Sequence, residues 1–129
     1  MRTLKYYVVS ALVLGIVGVT AQSAFEEAPK NTIKDVMKKA HKGKDKESDP
    51  LCKTVTTGKG TADQKKELLS LYEDLAKNKP PKGDEAAWKE KTAAIVAAAK
   101  DVVAGKDGAE KALGKAIACG ACHDAFRPK

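Results

Sequence analysis

Aromatic residues are scarce, at 5% of the 129-residue chain. No stretch alternates apolar and polar residues in the rhythm of a strand, and no segment repeats. A β-sandwich is therefore excluded, and the abundance of alanine favours closely packed helices. Cysteine is also sparse. There are three, an odd number, and two of them lie three residues apart, which argues against a disulfide framework. With one Trp and two Phe there is little to stack on bases. The lysines are interspersed with acids, so the net charge of +7 does not point to nucleic acid. What remains is 43% hydrophobic and 32% charged, enough for one small folded domain and too short for two.

The amino-terminal residues form a separate unit. Arg2 and Lys5 supply a basic start, Tyr6 to Val19 is mostly apolar, and Ala21-Gln22-Ser23 places small residues at the −3 and −1 positions of a cleavage site. The run falls short of the roughly 20 residues a membrane helix needs. Residues 1–23 are thus expected to be a secretory signal peptide, with an uncleaved anchor as the competing reading. Cleavage removes two positive charges and no acid, taking the net charge from +7 to +5. The mature domain is then 24–129, exported and free of the membrane.

Periodicity predicts helices along that domain. Ile33, Val36, Met37 and Ala40 share one face of a helix from Thr32 to His41. A lysine-rich linker follows. Asp49 and Pro50 then suit the N-cap and first position of a short helix to Thr56. Thr61 and Gln64 form a capping box ahead of a stripe of Leu68, Leu71, Tyr72 and Leu75. The next helix starts at Asp84 and presents Trp88, Thr92, Ile95, Ala99 and Val102. A last one is expected from near Asp107 to Arg127 without interruption. Short connections rich in Gly, Pro and Lys join them, so the expected fold is all-α, an antiparallel four-helix bundle.

Cys119-Gly120-Ala121-Cys122-His123 carries the chemistry. C-x-x-C-H is the attachment pattern of a c-type haem. Each thiol adds to one porphyrin vinyl group, and two intervening residues match the vinyl separation. The adjacent imidazole then reaches the iron. On a helix, positions 119, 122 and 123 fall on one side. A thioredoxin-type pair should open a helix after a strand, whereas this one is expected to close a helix. A zinc site would have to recruit Cys52 and His41.

A carboxy-terminal C-x-x-C-H followed by Phe126-Arg127, in the fourth helix of a small exported bundle, resembles the class II c-type cytochromes, the cytochrome c′ group. The resemblance runs from Thr32-Ile33-Lys34 to Phe126-Arg127. It implies one covalent haem c, with Cys119 and Cys122 as thioether residues, His123 as proximal ligand, and Arg127 near the haem propionates. Arg127 also suits a helix C-terminus through the macrodipole. Pairing into dimers is a further implication.

Three residues compete for the other side of the iron. Met37 lies where methionine-ligated members carry theirs, though methionine equally fills core gaps. His41, at the lysine-rich end of its helix, reads as a solvated surface histidine. Cys52 reads as a buried thiol, an intermolecular disulfide or a thiolate ligand. A free thiol in an exported protein is a liability unless sequestered, and iron sequesters it well. The segment Ile33 to Val55 is similar to the His/Cys-ligated cytochromes of the NaxLS type, which pair as two related subunits. Cys52 is therefore the favoured distal ligand. The expected role is a low-potential redox protein or a binder of NO or CO, with simple electron transfer through His123 and Met37 as the alternative. Without a distal acid–base group, no enzyme activity is expected. The basic surface favours an acidic redox partner protein, in a homodimer or heterodimer of such chains.

Overall fold

Two reciprocal caps set the frame. At Thr32 the side-chain oxygen accepts from the Asp35 amide at 3.2 Å, while Asp35 accepts from the Thr32 amide at 3.1 Å. Thr61 and Gln64 repeat the arrangement, as expected from the sequence. Each box satisfies amide donors that a helix start leaves without partners. The computed structural model describes residues 27–45 and 47–129. The signal peptide expected at 1–23 lies outside the described residues.

Among these residues the chain is all helical, with six helices and no strand. They are α1 (Ile33–His41), α2 (Leu51–Thr56), α3 (Ala62–Lys77), α4 (Glu85–Val103), α5 (Ala109–Ala116) and α6 (Cys119–Phe126). No helix among them is long and apolar enough to cross a membrane. The longest two, α3 and α4, pack against each other. Helix α5 lies on α4, α1 lies on α3, and α2 touches α1, α3 and α5.

The stripes read from the sequence are the buried ones. All five named residues of α4 are buried, as are Leu68, Leu71, Tyr72 and Leu75 of α3. Val36 and Ala40 of α1, Val55 of α2 and Leu113 of α5 complete the centre with no exposed surface. Each fully buried aliphatic side chain of this size contributes about 1.5–3 kcal/mol. The polar Thr92 lies within this core because its hydroxyl donates to the Trp88 carbonyl one turn back, at 2.9 Å.

Two expectations fail locally. Asp49 does not cap α2. The helix begins after Pro50 with no side-chain cap, and Asp49 instead pairs with Lys53 at 2.7 Å. That pair is exposed on both sides, and solvent screening leaves it a minor contribution. The predicted last helix is also two. It starts at Gly108, whose left-handed backbone replaces the expected start near Asp107, and it stops at Ile117. Ala118 is extended, and α6 begins at Cys119. The bend delivers Phe126 into the core, 7% exposed and edge-on to Trp88. Burial of that ring outweighs the modest gain of continuing a helix through Ile117 and Ala118.

Candidate functional site

The C-x-x-C-H residues open α6 instead of closing a longer helix, correcting the sequence expectation. Helix α5, not a strand, precedes them, so the thioredoxin arrangement is still absent. Cys119 is the first helical residue, and the Cys122 amide donates to the Ala118 carbonyl at 3.2 Å. One turn separates 119 from 122 and 123, so all three lie toward one side. Cys119 and His123 are exposed and Cys122 is half-buried. All three cysteines are free thiols.

These side chains border a cavity. Its open part has a volume of about 840 Å³ and is walled by Ile33, Met37 and His41 of α1, Leu75 of α3, Trp88 of α4, and Cys122, His123 and Phe126 of α6. The walls are largely apolar. Lys34, Lys79 and Arg127 also line it, and as exposed side chains they place positive charge at its mouth. A smaller hollow of about 60 Å³ continues inward. It is shared by Met37, His41, Cys122 and His123, with Tyr72, Ile117 and Cys119 added. Pockets that hold organic cofactors are of this size and mostly apolar, with a few convergent polar groups. Two thiols and an imidazole on one helix face, an apolar slot, and basic side chains at its mouth fit a covalently held haem with two carboxylates.

A hydrogen-bond chain positions these walls. The indole N–H of Trp88 donates to the Asn78 carbonyl at 2.7 Å. The Asn78 side-chain amide donates to the Asn31 and Asp74 carbonyls at 2.9 and 2.7 Å. Asn31 in turn donates to the Asp74 carboxylate at 2.6 Å. The start of α1, the end of α3 and the Trp88 wall are thereby tied together. Sequence reading missed Asn31, Asp74 and Asn78. The available signal was Asp74, an acid flanked by the apolar Tyr72 and Leu75 on the buried face of α3.

The three distal candidates fall in different places. Met37 is half-buried and lines both parts of the cavity. Cys52 is half-buried against the core and lines neither part. Burial pushes its thiol above the usual range, and the charge of nearby Cys119 adds to that. His41 is not the solvated surface residue expected from the sequence. It is half-buried and lines both parts of the cavity, so the cavity does contain an acid–base group beside His123. Burial, and then the charge of His123, hold the His41 imidazole below its ordinary range. Its Nε2 lies 3.4 Å from the Tyr72 hydroxyl. Burial keeps that phenol protonated far beyond its usual range, with the Cys52 and Cys119 charges adding to the effect.

Among the described residues, no group of three or more His, Cys, Asp or Glu is gathered to hold a metal on protein ligands alone. The zinc reading through Cys52 and His41 thus gains no support. No protein-family model matches the chain, and no curated protein or solved structure matches it either.

Proposed function

We propose that this chain is an exported monohaem c-type cytochrome, its helices forming an antiparallel four-helix bundle of the class II kind. One observation carries the reading: in the C-x-x-C-H segment Cys122 and His123 line a largely apolar cavity of about 840 Å³, and Cys119 joins them around the small hollow beside it. Cys119 and Cys122 would hold the porphyrin through thioethers, and His123 would donate its nitrogen to the iron. When bound, the haem supplies an iron that exchanges one electron and takes NO or CO wherever an axial position opens.

The protein's own groups set the conditions around it. Leu75, Trp88 and Phe126 exclude water from the cavity wall, which lowers the local dielectric and strengthens charge effects. Arg127, Lys34 and Lys79 offer positive charge to the haem carboxylates at the mouth. The surplus of basic residues elsewhere favours an acidic redox partner protein and an association weakened by salt. Pairing with a second, related chain belongs to the same reading.

For the sixth position the sequence pointed first to Cys52 and next to Met37. Thiolate ligation would give a low potential and a site that opens on reduction. It requires α2 to deliver a side chain that lines neither part of the cavity. Met37, already on the wall, supports the second reading, a plain electron carrier of higher potential. The test of the proposal is acid–acetone extraction of the protein produced with a haem-attachment system. Colour retained by the protein is the expected result, and a colourless pellet would refute the assignment.

A further inference from the structure

Cys52 is the thiol that stands outside the C-x-x-C-H motif, and the register of α2 on α5 decides what it lies beside. Thr56 of α2 faces Gly114 of α5, where a Cβ would lie 3.8 Å from the threonine Cβ. Cys52 precedes Thr56 by one turn and so shares its face. The direction of α2 follows from its neighbours. Lys65 and Glu110 pair at 3.1 Å, which brings the starts of α3 and α5 to one end of the molecule. Residues 57–61 lead from α2 into α3, with Gly60 folded closely against Val55. Helix α2 thus runs toward the end at which α5 begins. One turn back from Thr56 is Cys52, and one turn forward from Gly114 is Ala118, beside Cys119.

The surroundings agree with that register. Tyr72 and Cys119 line the small hollow together. Burial is the main reason the Tyr72 phenol stays protonated, and the two thiols whose charges add to it are Cys52 and Cys119. Burial also raises the Cys52 thiol, and the cysteine that adds to that is Cys119. For Cys122 the charges that count, after burial, are those of Lys91 and Cys119. Cys119 is therefore the thiol common to both of the others.

We infer that, before haem is attached, Cys52 and Cys119 form an intramolecular disulfide that ties the start of α2 to the start of α6. The oxidant is a small disulfide of the kind an oxidising compartment holds. The exposed Cys119 attacks one sulfur of that donor as thiolate, breaks its S–S bond and releases one thiolate. Cys52 then attacks the Cys119 sulfur and releases the second. Two protein thiols are oxidised, the donor is reduced to two thiols, and the cysteine protons pass to the leaving sulfurs. Cys122 is the competing partner. A bond within the motif closes a single turn, whereas the bond to Cys52 closes a far longer loop, so folding favours it more. A sulfur committed to Cys52 is closed to a porphyrin vinyl group. That consequence rests on the covalent-haem reading above, whereas the disulfide itself does not.

The experiment is disulfide mapping by mass spectrometry on the chain produced without haem and oxidised with glutathione disulfide. Peptides joined through Cys52 and Cys119 are expected, with Cys122 open to alkylation and a denaturant midpoint above that of the reduced chain. Cys122→Ser should form the same bond, and Cys52→Ser should not gain the higher midpoint. A Cys119–Cys122 bond with Cys52 alkylated overturns the inference. So does a dimer joined through Cys52, a chain that keeps all three thiols, or one that does not fold without haem. The consequence for haem is read separately, by incubation with ferrous haem. The mapped disulfide form should take up covalent haem only after dithiothreitol is added, and uptake before that overturns the exclusion. A chain that takes up no covalent haem even when reduced refutes the functional assignment and leaves the mapped disulfide standing.

Discussion

The indole of Trp88 meets the phenyl ring of Phe126 edge to face, with centroids 5.1 Å apart and planes at 81°. This contact joins α4 to α6 and closes one wall of the cavity. Edge-to-face pairs of this geometry contribute about 0.5–1.5 kcal/mol beyond the area they bury.

Phe126→Ala should therefore cost about 3 kcal/mol, at the lower end for loss of a large core side chain because the ring sits at the core's edge. Trp88 is the single tryptophan and only 3% exposed, so the chain's tryptophan fluorescence reports on the surroundings of this indole, the Phe126 contact among them. In the variant, emission should move to longer wavelength and the denaturant midpoint should fall. Unchanged emission would show that Phe126 does not cover the indole in solution.

Gly83 is the second fastening of α6. Its φ is +87°, and a Cβ there would lie 2.6 Å from the Ala125 carbonyl oxygen and 3.0 Å from the Phe126 ring. Gly105 has a comparable φ of +72° but open space around it. Both Gly→Ala substitutions should destabilise, by roughly 1 kcal/mol from backbone strain alone. Gly83→Ala should cost clearly more, through the added collision. Equal midpoints for the two variants in a paired urea titration would refute the close approach to α6.

Asp74, 5% exposed, anchors the chain ahead of α1. Burial by itself raises its pKa. The hydrogen bonds from the Asn31 side chain and the Lys30 amide outweigh it, and the carboxyl sits below its ordinary range. Because the folded state prefers the ionised form, the stabilisation is complete above the unfolded pKa near 3.8. It is lost as pH falls through the lower folded value. Asp74→Ala should cost about 2 kcal/mol at neutral pH and much less at the acid end. A cost independent of pH would show that the ionised carboxylate is not what holds Asn31 and Lys30.

Much of this was legible in the sequence where local and global preferences agree. The cap at Thr61 and the stripe from Trp88 to Val102 each combine a local signal with the face the core requires. The bend at Ile117–Ala118 was not legible, since no Gly or Pro stands there and only the distant pairing of Phe126 with Trp88 selects it. Asp49 offered a cap in sequence, but Lys53 one turn on competes for the same carboxylate. The inward turn of His41 was written in its spacing from Met37 and hidden by the surrounding lysines. Of the site, the C-x-x-C-H spacing was plain. The Asn31–Asp74–Asn78 tie was not, because its members lie up to 47 residues apart and meet only through tertiary packing.

The joint at Ile117–Ala118 also bears on how the thiols are presented. Helix α6 is a separate eight-residue piece, fastened near its far end by Phe126 and the Gly83 loop, and apart from Phe126 the buried core is built from α1 to α5. Cys119 stands in the open beside the joint, and Cys122 keeps part of its surface exposed. Both thiols are thus reachable on the folded chain, Cys119 fully and Cys122 in part. Any reagent that modifies them would meet two sulfurs already held one helical turn apart.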